Sequence, residues 1–336
     1  MSDATIEVEG VRLRRLLAGF ARFVLVLLLA AFLIALPFYV NNYIQFILNT
    51  IIIYCLVALG FNIVIGYLGQ LAFANAAFFG IGAYAAGLLM VHFGLPFAAS
   101  LVAAALAGAI AGAIVGLIAL RLSGYYLIIT TFAFIEFMRW LYIHGGTCTF
   151  GASGFNVPEA SILGLVLDEE IKKYFVFMAV TVLAIWATSR FIRSRFGRAI
   201  VAVRNNEKAA AVAGVPVVRT KVIAFVWSGL IVSVAGALYA VLNGRVTPDS
   251  FGLEQMLTHF VTVMVGGLGS ITGSILGAII LTSLPEFLRN FAGVEEIAYS
   301  LLLMFVIFFM PGGISGTIVE RFSSLREPLY RTRSDA

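Results

Sequence analysis

The chain has 336 residues, of which 61% are hydrophobic and 12% are charged. A water-soluble domain of this length cannot cover so much apolar surface, so the composition excludes a soluble globular protein and indicates a bilayer as the solvent. The formal net charge of +5 comes mostly from clusters outside the hydrophobic runs, which indicates membrane topology rather than binding to nucleic acid.

A membrane-spanning helix needs about 20 mostly apolar residues, and such runs predict an all-α integral membrane protein with about ten transmembrane helices. The first run is too long for the core of a signal peptide, so we interpret it as an uncleaved span. The predicted spans cover residues 17–39, 44–65, 76–93, 96–120, 125–143, 172–190, 222–242, 255–270, 273–291 and 296–311.

Residues 66–75 separate the second predicted span from the third. The segment contains two glycines and the amides Gln70 and Asn75. This composition predicts a break or a re-entrant piece, which is tolerated in a membrane only where protein or water surrounds it.

Basic residues provide an independent test of the span count. Segment 190–221 carries eight basic residues against the single acid Glu207, and the positive-inside rule places it in the cytoplasm. The basic tails at both ends belong on the same side, which requires an even number of spans. The predicted organisation is a cytoplasmic tail over 1–16, a permease domain over 17–311 with outer loops at 144–171 and 243–254, and a cytoplasmic tail over 312–336.

A short helix is predicted inside the basic segment 190–221. Residues 205–212 are rich in helix formers, with an asparagine available as N-cap and a glycine after the end. The alternative is an ordinary cytoplasmic loop that is basic and partly helical. The residues singled out here are Asn205, Asn206, Glu207, Ala209, Ala210 and Gly214.

Two runs of glycine at helical spacing predict close helix–helix packing rather than direct contact with a solute. A Gly-rich element at 266–270 lies between two apolar runs and predicts a tight turn, because glycine adopts positive φ without strain. It is not followed by Gly-Lys-Ser or Gly-Lys-Thr, so it is not a phosphate-binding loop. Any ATPase that drives the protein is therefore a separate chain. The two runs are Gly108, Gly112 and Gly116 in the fourth predicted span, and Gly269, Gly273 and Gly277 around the start of the ninth.

Polar residues inside the spans are candidates for a solute pathway, because amides and hydroxyls can bind a passing zwitterion without trapping it. Glu136 and Arg139 lie three residues apart on one helical face and can neutralise each other. For each residue the alternative is a purely structural hydrogen bond or ion pair between helices. The candidates are Asn62, Gln70, Asn75, Thr130, Glu136, Thr258, His259 and Thr262.

Residues suited to metal binding or catalysis are few and dispersed. The chain has two cysteines and three histidines, which occur singly. They form neither a disulfide framework nor a metal cluster, and no nucleophile and base converge at one depth. The sequence therefore predicts neither a metal site nor an enzyme.

Four segments in the expected order resemble the branched-chain amino-acid ABC transporter permease family of the LivM type. The resemblance runs from about residue 50 to 315, and at Asn75 this chain has an asparagine where the family usually has a histidine. The segments are Gly66–Tyr84, Leu120–Thr131, Ser194–Gly214, and Gly266–Gly277 with the Leu284-Pro-Glu that follows it.

The resemblance implies a type II importer-like permease fold in the bacterial inner membrane. It also implies that residues 205–214 couple the bundle to the ATPase, and that ATP and Mg²⁺ are bound by partner chains rather than by this one. The implied partners are a homologous permease subunit, two cytoplasmic ATP-binding subunits and a periplasmic solute-binding protein that delivers solute to the outer loops.

Two other functions stay open at this point. An ion-coupled secondary transporter would use Glu136 as its proton or sodium site, and a membrane-embedded enzyme would need a catalytic residue such as Glu136 or His259. The solute class is also open: branched-chain amino acids lead, and urea, amides and aromatic acids are the alternatives.

Overall fold

The computed structural model describes residues 31–122, 124–162 and 165–288, together with residues 301, 304, 313, 314 and 316. The described residues exclude most of the predicted first span at 17–39, nearly all of the predicted last span at 296–311, the tail at 1–16, nearly all of the tail at 312–336, and three residues of the predicted span 273–291. Among the described residues, those up to Gln45 and those from Phe46 onward form two compact units. In the first unit, the Gln45 side chain donates to the Pro37 carbonyl oxygen at 2.8 Å.

The described chain is built almost entirely from helices. They are α1 (Asn42–Asn62), α2 (Asn75–Phe93), α3 (Phe97–Ile118), α4 (Tyr125–His144), α5 (Glu170–Arg193), α6 (Arg195–Asn205), α7 (Glu207–Val212), α8 (Val217–Asn243), α9 (Leu253–Gly266) and α10 (Ile271–Leu288).

Six of these helices are long and apolar enough to cross a bilayer: α1 to α5 and α8. They correspond to the predicted spans from 44–65 to 222–242, and a π-helical turn at Ile63–Tyr67 extends α1. The chain is therefore a multi-pass, all-α membrane protein. Residues 68–74 are not helical, which confirms the predicted break between the second and third spans.

Helix α9 is shorter than the predicted span 255–270. With 14 residues, α9 is about 21 Å long, well under the hydrocarbon thickness of about 30 Å. The predicted span is wrong in its last four residues, because α9 ends at Gly266 and residues 267–270 form a turn, which confirms the tight turn predicted at 266–270.

Helix α8 is the centre of the described bundle and packs against α2 and α3. The contact with α3 is so close that a Cβ on Gly108 would overlap the Gly229 carbonyl oxygen and the Ser233 side chain. The packing role predicted for the Gly108 run is therefore confirmed. In the second run, Gly273 and Gly277 pack closely against Gly266 of α9, whereas Gly269 lies in the turn before α10 and does not share their face.

Four two-residue strands lie in the loops. They are β1 (Phe155–Asn156), β2 (Ser161–Ile162), β3 (Leu165–Val166) and β4 (Arg245–Val246), with β2 paired to β3 and β1 paired to β4, both antiparallel. The second pairing joins the loop after α4 to the loop after α8, which are the two loops predicted to share the outer side. The Val157 N–H extends this contact by donating to the Gly244 carbonyl oxygen at 2.9 Å.

Candidate functional site

The first candidate site is the short helix α7. The Asn206 side-chain oxygen accepts a hydrogen bond from the Ala209 N–H at 3.0 Å, so Asn206 is the N-cap. Asn205, the other candidate cap, is instead the last residue of α6. Gly214 follows the helix with φ +83°, a left-handed conformation that glycine adopts without strain. The sequence therefore predicts this helix correctly, with its N-terminus at Glu207.

An ion pair fastens α7 to the start of α8. The ammonium of Lys221 lies 2.8 Å from a carboxylate oxygen of Glu207. The Lys221 side chain is 6% exposed, whereas that of Glu207 is 53% exposed. Because a buried ammonium needs a partner, Glu207 holds the base of α7 in place.

The outward side of α7 is small and apolar. Ala210 is buried, while Ala209 is exposed and Val212 is 91% exposed. The predicted small-residue face is thus split, with one alanine packed inward and the remainder facing out. A rigid helix with an exposed valine at its end is suited to docking into a groove on another protein.

The second candidate region begins at Asn62, which is buried at the end of α1. Its amide nitrogen donates to the Ser274 hydroxyl at 2.7 Å and to the Ser270 carbonyl oxygen at 2.9 Å. Its side-chain oxygen accepts from the Gly269 N–H at 2.8 Å. Asn62 therefore holds the turn between α9 and α10, in which Gly267 and Gly269 have positive φ.

A buried polar network links α1, α2 and α9. Asn75 Nδ2 lies 3.0 Å from Nδ1 of the fully buried His259, and Gln255 Nε2 lies 2.8 Å from the other ring nitrogen. Gln255 also donates to the Tyr54 hydroxyl at 2.8 Å. A neutral imidazole accepts at one ring nitrogen and donates from the other, so His259 accepts a hydrogen bond from one of these two amide nitrogens and lies in contact with the other.

A cleft of about 330 Å³ lies next to this network, between α1, α9 and α10. Tyr54 belongs to both the network and the cleft wall. Of the predicted pathway residues, Thr258 and Thr262 line the cleft, while His259 and Asn75 stand behind it. The lining residues include Thr50, Tyr54, Thr258, Thr262, Leu281 and Thr282.

The remaining predicted pathway residues lie elsewhere. Thr130 lines a separate, apolar cavity of about 240 Å³ between α3 and α4. Gln70 is half-buried in the break after α1, and its buried side-chain oxygen has no hydrogen-bond partner among the described residues. The structure thus brings together four of the eight predicted pathway residues, namely Asn75, Thr258, His259 and Thr262.

Glu136 belongs to an ion-pair group on the face of α4. Arg139 lies 3.7 Å from Glu136 and 2.7 Å from Asp249, which is on the loop before α9. The side chains of Glu136 and Arg139 are 41% and 37% exposed. Asp249, which the sequence did not single out, is the stronger partner.

A second ion-pair group lies at the start of α5. The Lys172 ammonium donates to Asp168 at 2.6 Å and lowers the pKa of that carboxyl. Lys173 pairs with Glu170 at 2.7 Å, and the fully buried Asn49 donates to Glu170 at 2.9 Å. These contacts join α5 to α1. Within the described part of the chain, no group of three or more His, Cys, Asp or Glu residues is arranged to hold a metal ion.

Comparison with known proteins identifies the family. Residues 43–311 match the family described as "Branched-chain amino acid transport system / permease component". The chain belongs to this family. It is a family of transport permeases and not of enzymes, and the resemblance inferred from the four sequence segments is confirmed.

Several curated relatives support the same assignment. The chain is 31% identical over 316 residues to the high-affinity branched-chain amino acid transport system permease protein LivM of Salmonella typhimurium, covering 87% of this chain and 74% of the relative. LivM of Escherichia coli K12 is 31% identical over 305 residues, which are 84% of this chain and 72% of the relative. The permease protein LivH of S. typhimurium is 33% identical over 144 residues, 42% of this chain and 46% of LivH. No solved structure matches the chain.

In this permease, sequence reasoning missed several residues of the site. Tyr54 and Gln255 complete the buried network, and Thr50 and Thr282 complete the cleft wall. One signal was available: Tyr54 is four residues after Thr50, and Thr262 is four residues after Thr258, so each pair shares a helical face.

Proposed function

We propose that this chain is a permease subunit of an ATP-driven importer of small amino-acid-like solutes, with branched-chain amino acids as the first candidates. The family match and the identity to LivM proteins over most of the chain support this proposal. The proposed location is the bacterial inner membrane. The proposed assembly contains a homologous permease, two ATPases that bind ATP and Mg²⁺, and a periplasmic solute-binding protein.

The proposed topology has about ten spans with both termini in the cytoplasm. Segment 190–221, with α6 and α7, then faces the cytoplasm, and the loops at 144–171 and 243–254 face outward. The β1–β4 pairing supports a shared side for the two loops. The Arg245 guanidinium also donates to the Ser153 carbonyl oxygen at 3.0 Å, which is a second contact between the two loops. These loops would receive the solute-binding protein.

The observation that carries the proposed coupling mechanism is the geometry of α7. This helix is capped by Asn206, anchored through Glu207 to the buried Lys221, and exposes Val212 at its far end. A force applied by an ATPase to such a helix reaches α8 directly, and α8 is the central helix of the bundle. We assign to α7 the role of the coupling helix.

The proposed solute route passes through the cleft between α1, α9 and α10. With the proposed topology, the Asn42 end of α1 and the Leu253 end of α9 face outward, so the cleft lies on the side from which solute arrives. The route would contact Thr258 and Thr262 and pass in front of the network of Asn75 and His259.

The contacts of Glu136 favour a structural role over ion coupling. Glu136 is partly exposed and paired with Arg139, which itself binds Asp249 more closely. A proton- or sodium-coupling carboxylate would instead be buried along the solute route, as intramembrane ionisable groups are in transporters.

The decisive experiment is co-purification of the chain with its ATPase partners in detergent. Val212→Asp places a charge on the exposed end of α7 and is expected to release the ATPases. Val166→Asp, which changes an exposed valine in the loop before α5, is the matched control and is expected to retain them. If wild type and Val212→Asp retain the ATPases equally, α7 is not the coupling helix. If wild type binds no ATPase, the chain is not a subunit of an ATP-driven importer.

A further inference from the structure

The cleft between α1, α9 and α10 presents an unusual set of hydroxyl groups. Four threonines and one tyrosine line its volume of about 330 Å³. The described residues that line it include no charged side chain. What such a cleft can bind depends on which of its hydroxyls still offer a proton and which offer only oxygen lone pairs.

Three of the threonine hydroxyls donate hydrogen bonds to carbonyl oxygens of their own helices. Thr50 Oγ1 donates to the Phe46 carbonyl oxygen at 2.9 Å. Thr258 donates to the Glu254 carbonyl oxygen at 3.1 Å, and Thr262 donates to the Thr258 carbonyl oxygen at 2.7 Å. Because a carbonyl can only accept, the direction of these bonds is fixed. Each hydroxyl is left with acceptor capacity and no second proton.

The wall contributed by α10 contains a proline. Pro285 lies inside this helix and lines the cleft together with Leu281. Proline has no N–H, so it cannot donate the usual helical hydrogen bond to the carbonyl of Leu281, four residues earlier. Freed carbonyls of this kind in membrane helices bind polar partners or coordinate ligands.

A cleft whose uncharged oxygen atoms accept hydrogen bonds favours a ligand group that donates them. An ammonium group carries three N–H donors and no acceptor, so it matches hydroxyl and carbonyl lone pairs. A carboxylate carries only acceptors, so it is not matched by Thr50, Thr258 and Thr262, whose protons are already donated. We infer that this cleft is the subsite for the ammonium group of the transported zwitterion, with Thr50, Thr258 and Thr262 as its ligands.

The described lining contains no carboxylate, and this is consistent with a permease that must release its solute after binding it. A buried carboxylate would pair with the ammonium and hold it, whereas neutral oxygens bind it weakly enough for release. The buried bridge of Gln255 and His259 positions the α9 wall against Tyr54 of α1. This inference rests on the proposed function, because it assumes an amino-acid-like solute.

The first test is uptake of radiolabelled leucine by the complete transporter in proteoliposomes. The double variant Thr258→Val and Thr262→Val keeps side-chain shape and removes two acceptors, and a loss of about tenfold or more in uptake is expected, since hydrogen bonds to charged groups are the strong ones. Thr258→Ser with Thr262→Ser restores the hydroxyls and is expected to recover most of the uptake. Thr181→Val in α5, whose buried hydroxyl has no hydrogen-bond partner in the described residues, is the matched control.

The second test asks which end of the solute binds. Isopentylamine and 4-methylpentanoate each keep the aliphatic part of leucine, with only the ammonium or only the carboxylate. In saturation-transfer NMR on the permease–ATPase complex without the binding protein, the amine is expected to give a signal that the double valine variant abolishes, and the acid none.

The outcomes separate the two proposals. Four results would each overturn the subsite. In the uptake test they are undiminished uptake by the double valine variant and failure of the double serine variant to recover uptake. In the NMR test they are a signal from the acid that the valine variant abolishes, and no such signal from the amine. If wild type binds the amine in this cleft yet transports no leucine, the subsite stands and the proposed solute fails. If uptake is normal but insensitive to the variants, the proposed function stands and the subsite fails.

Discussion

The side-chain oxygen of Asn62 accepts a hydrogen bond from the backbone N–H of Gly269, 207 positions further along the chain, at 2.8 Å. The same side chain donates to Ser270 and Ser274, so one buried amide defines the turn between α9 and α10. Because the cleft is walled by both of these helices, its shape depends on this amide.

Asn62→Leu is expected to destabilise the protein by about 2–4 kcal/mol, because it leaves two buried backbone groups, the Gly267 carbonyl oxygen and the Gly269 N–H, without their partner at about 1–3 kcal/mol each. The measurement is the thermal unfolding of the purified protein in detergent. Asn243→Leu is the control, since Asn243 is exposed and donates only to the Tyr239 carbonyl within its own helix. Equal melting temperatures for the two variants would show that the turn holds without Asn62.

Asn206→Ala is expected to weaken α7 by about 1 kcal/mol, the usual effect of losing an N-cap. Amide hydrogen exchange at Glu207–Val212 should accelerate about fivefold, since 1.4 kcal/mol corresponds to a factor of ten, and solute uptake should fall with it. Asn205→Ala, one residue earlier and outside the cap, should change neither quantity. If both variants behave alike, the cap is not what orders this helix.

Glu207→Lys is expected to reduce uptake strongly, because it places a second cation against the buried ammonium of Lys221. The exchange of both charges, Glu207→Lys with Lys221→Glu, should recover part of the lost uptake. The readout is uptake per assembled complex, with ATPase co-purification measured in parallel. A double variant no better than the single one would mean that this ion pair does not anchor α7.

Glu136→Gln is expected to leave uptake within about twofold of wild type, since partly exposed ion pairs contribute about 0–1 kcal/mol. Asp249→Asn should cost more, because Asp249 is the closer partner of Arg139. Uptake is to be measured with and without an imposed proton or sodium gradient. A gradient-dependent uptake that Glu136→Gln abolishes would instead establish the ion-coupled transporter.

The parts of the fold that depend on local composition were predictable from sequence. Six spans, the break at 66–75, the α7 helix and the Gly108 packing face all follow from hydropathy, caps and small residues. The turn after α9 also followed from its glycines, whereas the contact of that turn with Asn62 was not predictable, because Asn62 is remote in sequence. Likewise the cleft requires three helices to meet, and no spacing along one helix reveals which threonines face each other.

The candidate site shows the same division. Thr258, His259 and Asn75 were identified as polar residues in apolar runs, and they do come together. Tyr54 and Gln255 were not identified because a single tyrosine or glutamine in a helix is common and carries no pattern of its own. Conversely, Glu136 was selected for its charge, although it pairs with Arg139, whose closer partner is Asp249.

The two-residue ladder between β1 and β4 has a mechanical consequence. It joins residues 155–156 to residues 245–246 through main-chain hydrogen bonds, so the loop after α4 stays attached to the end of α8 as long as the ladder is intact. A transport cycle that keeps the ladder intact must move this part of the loop together with the end of α8.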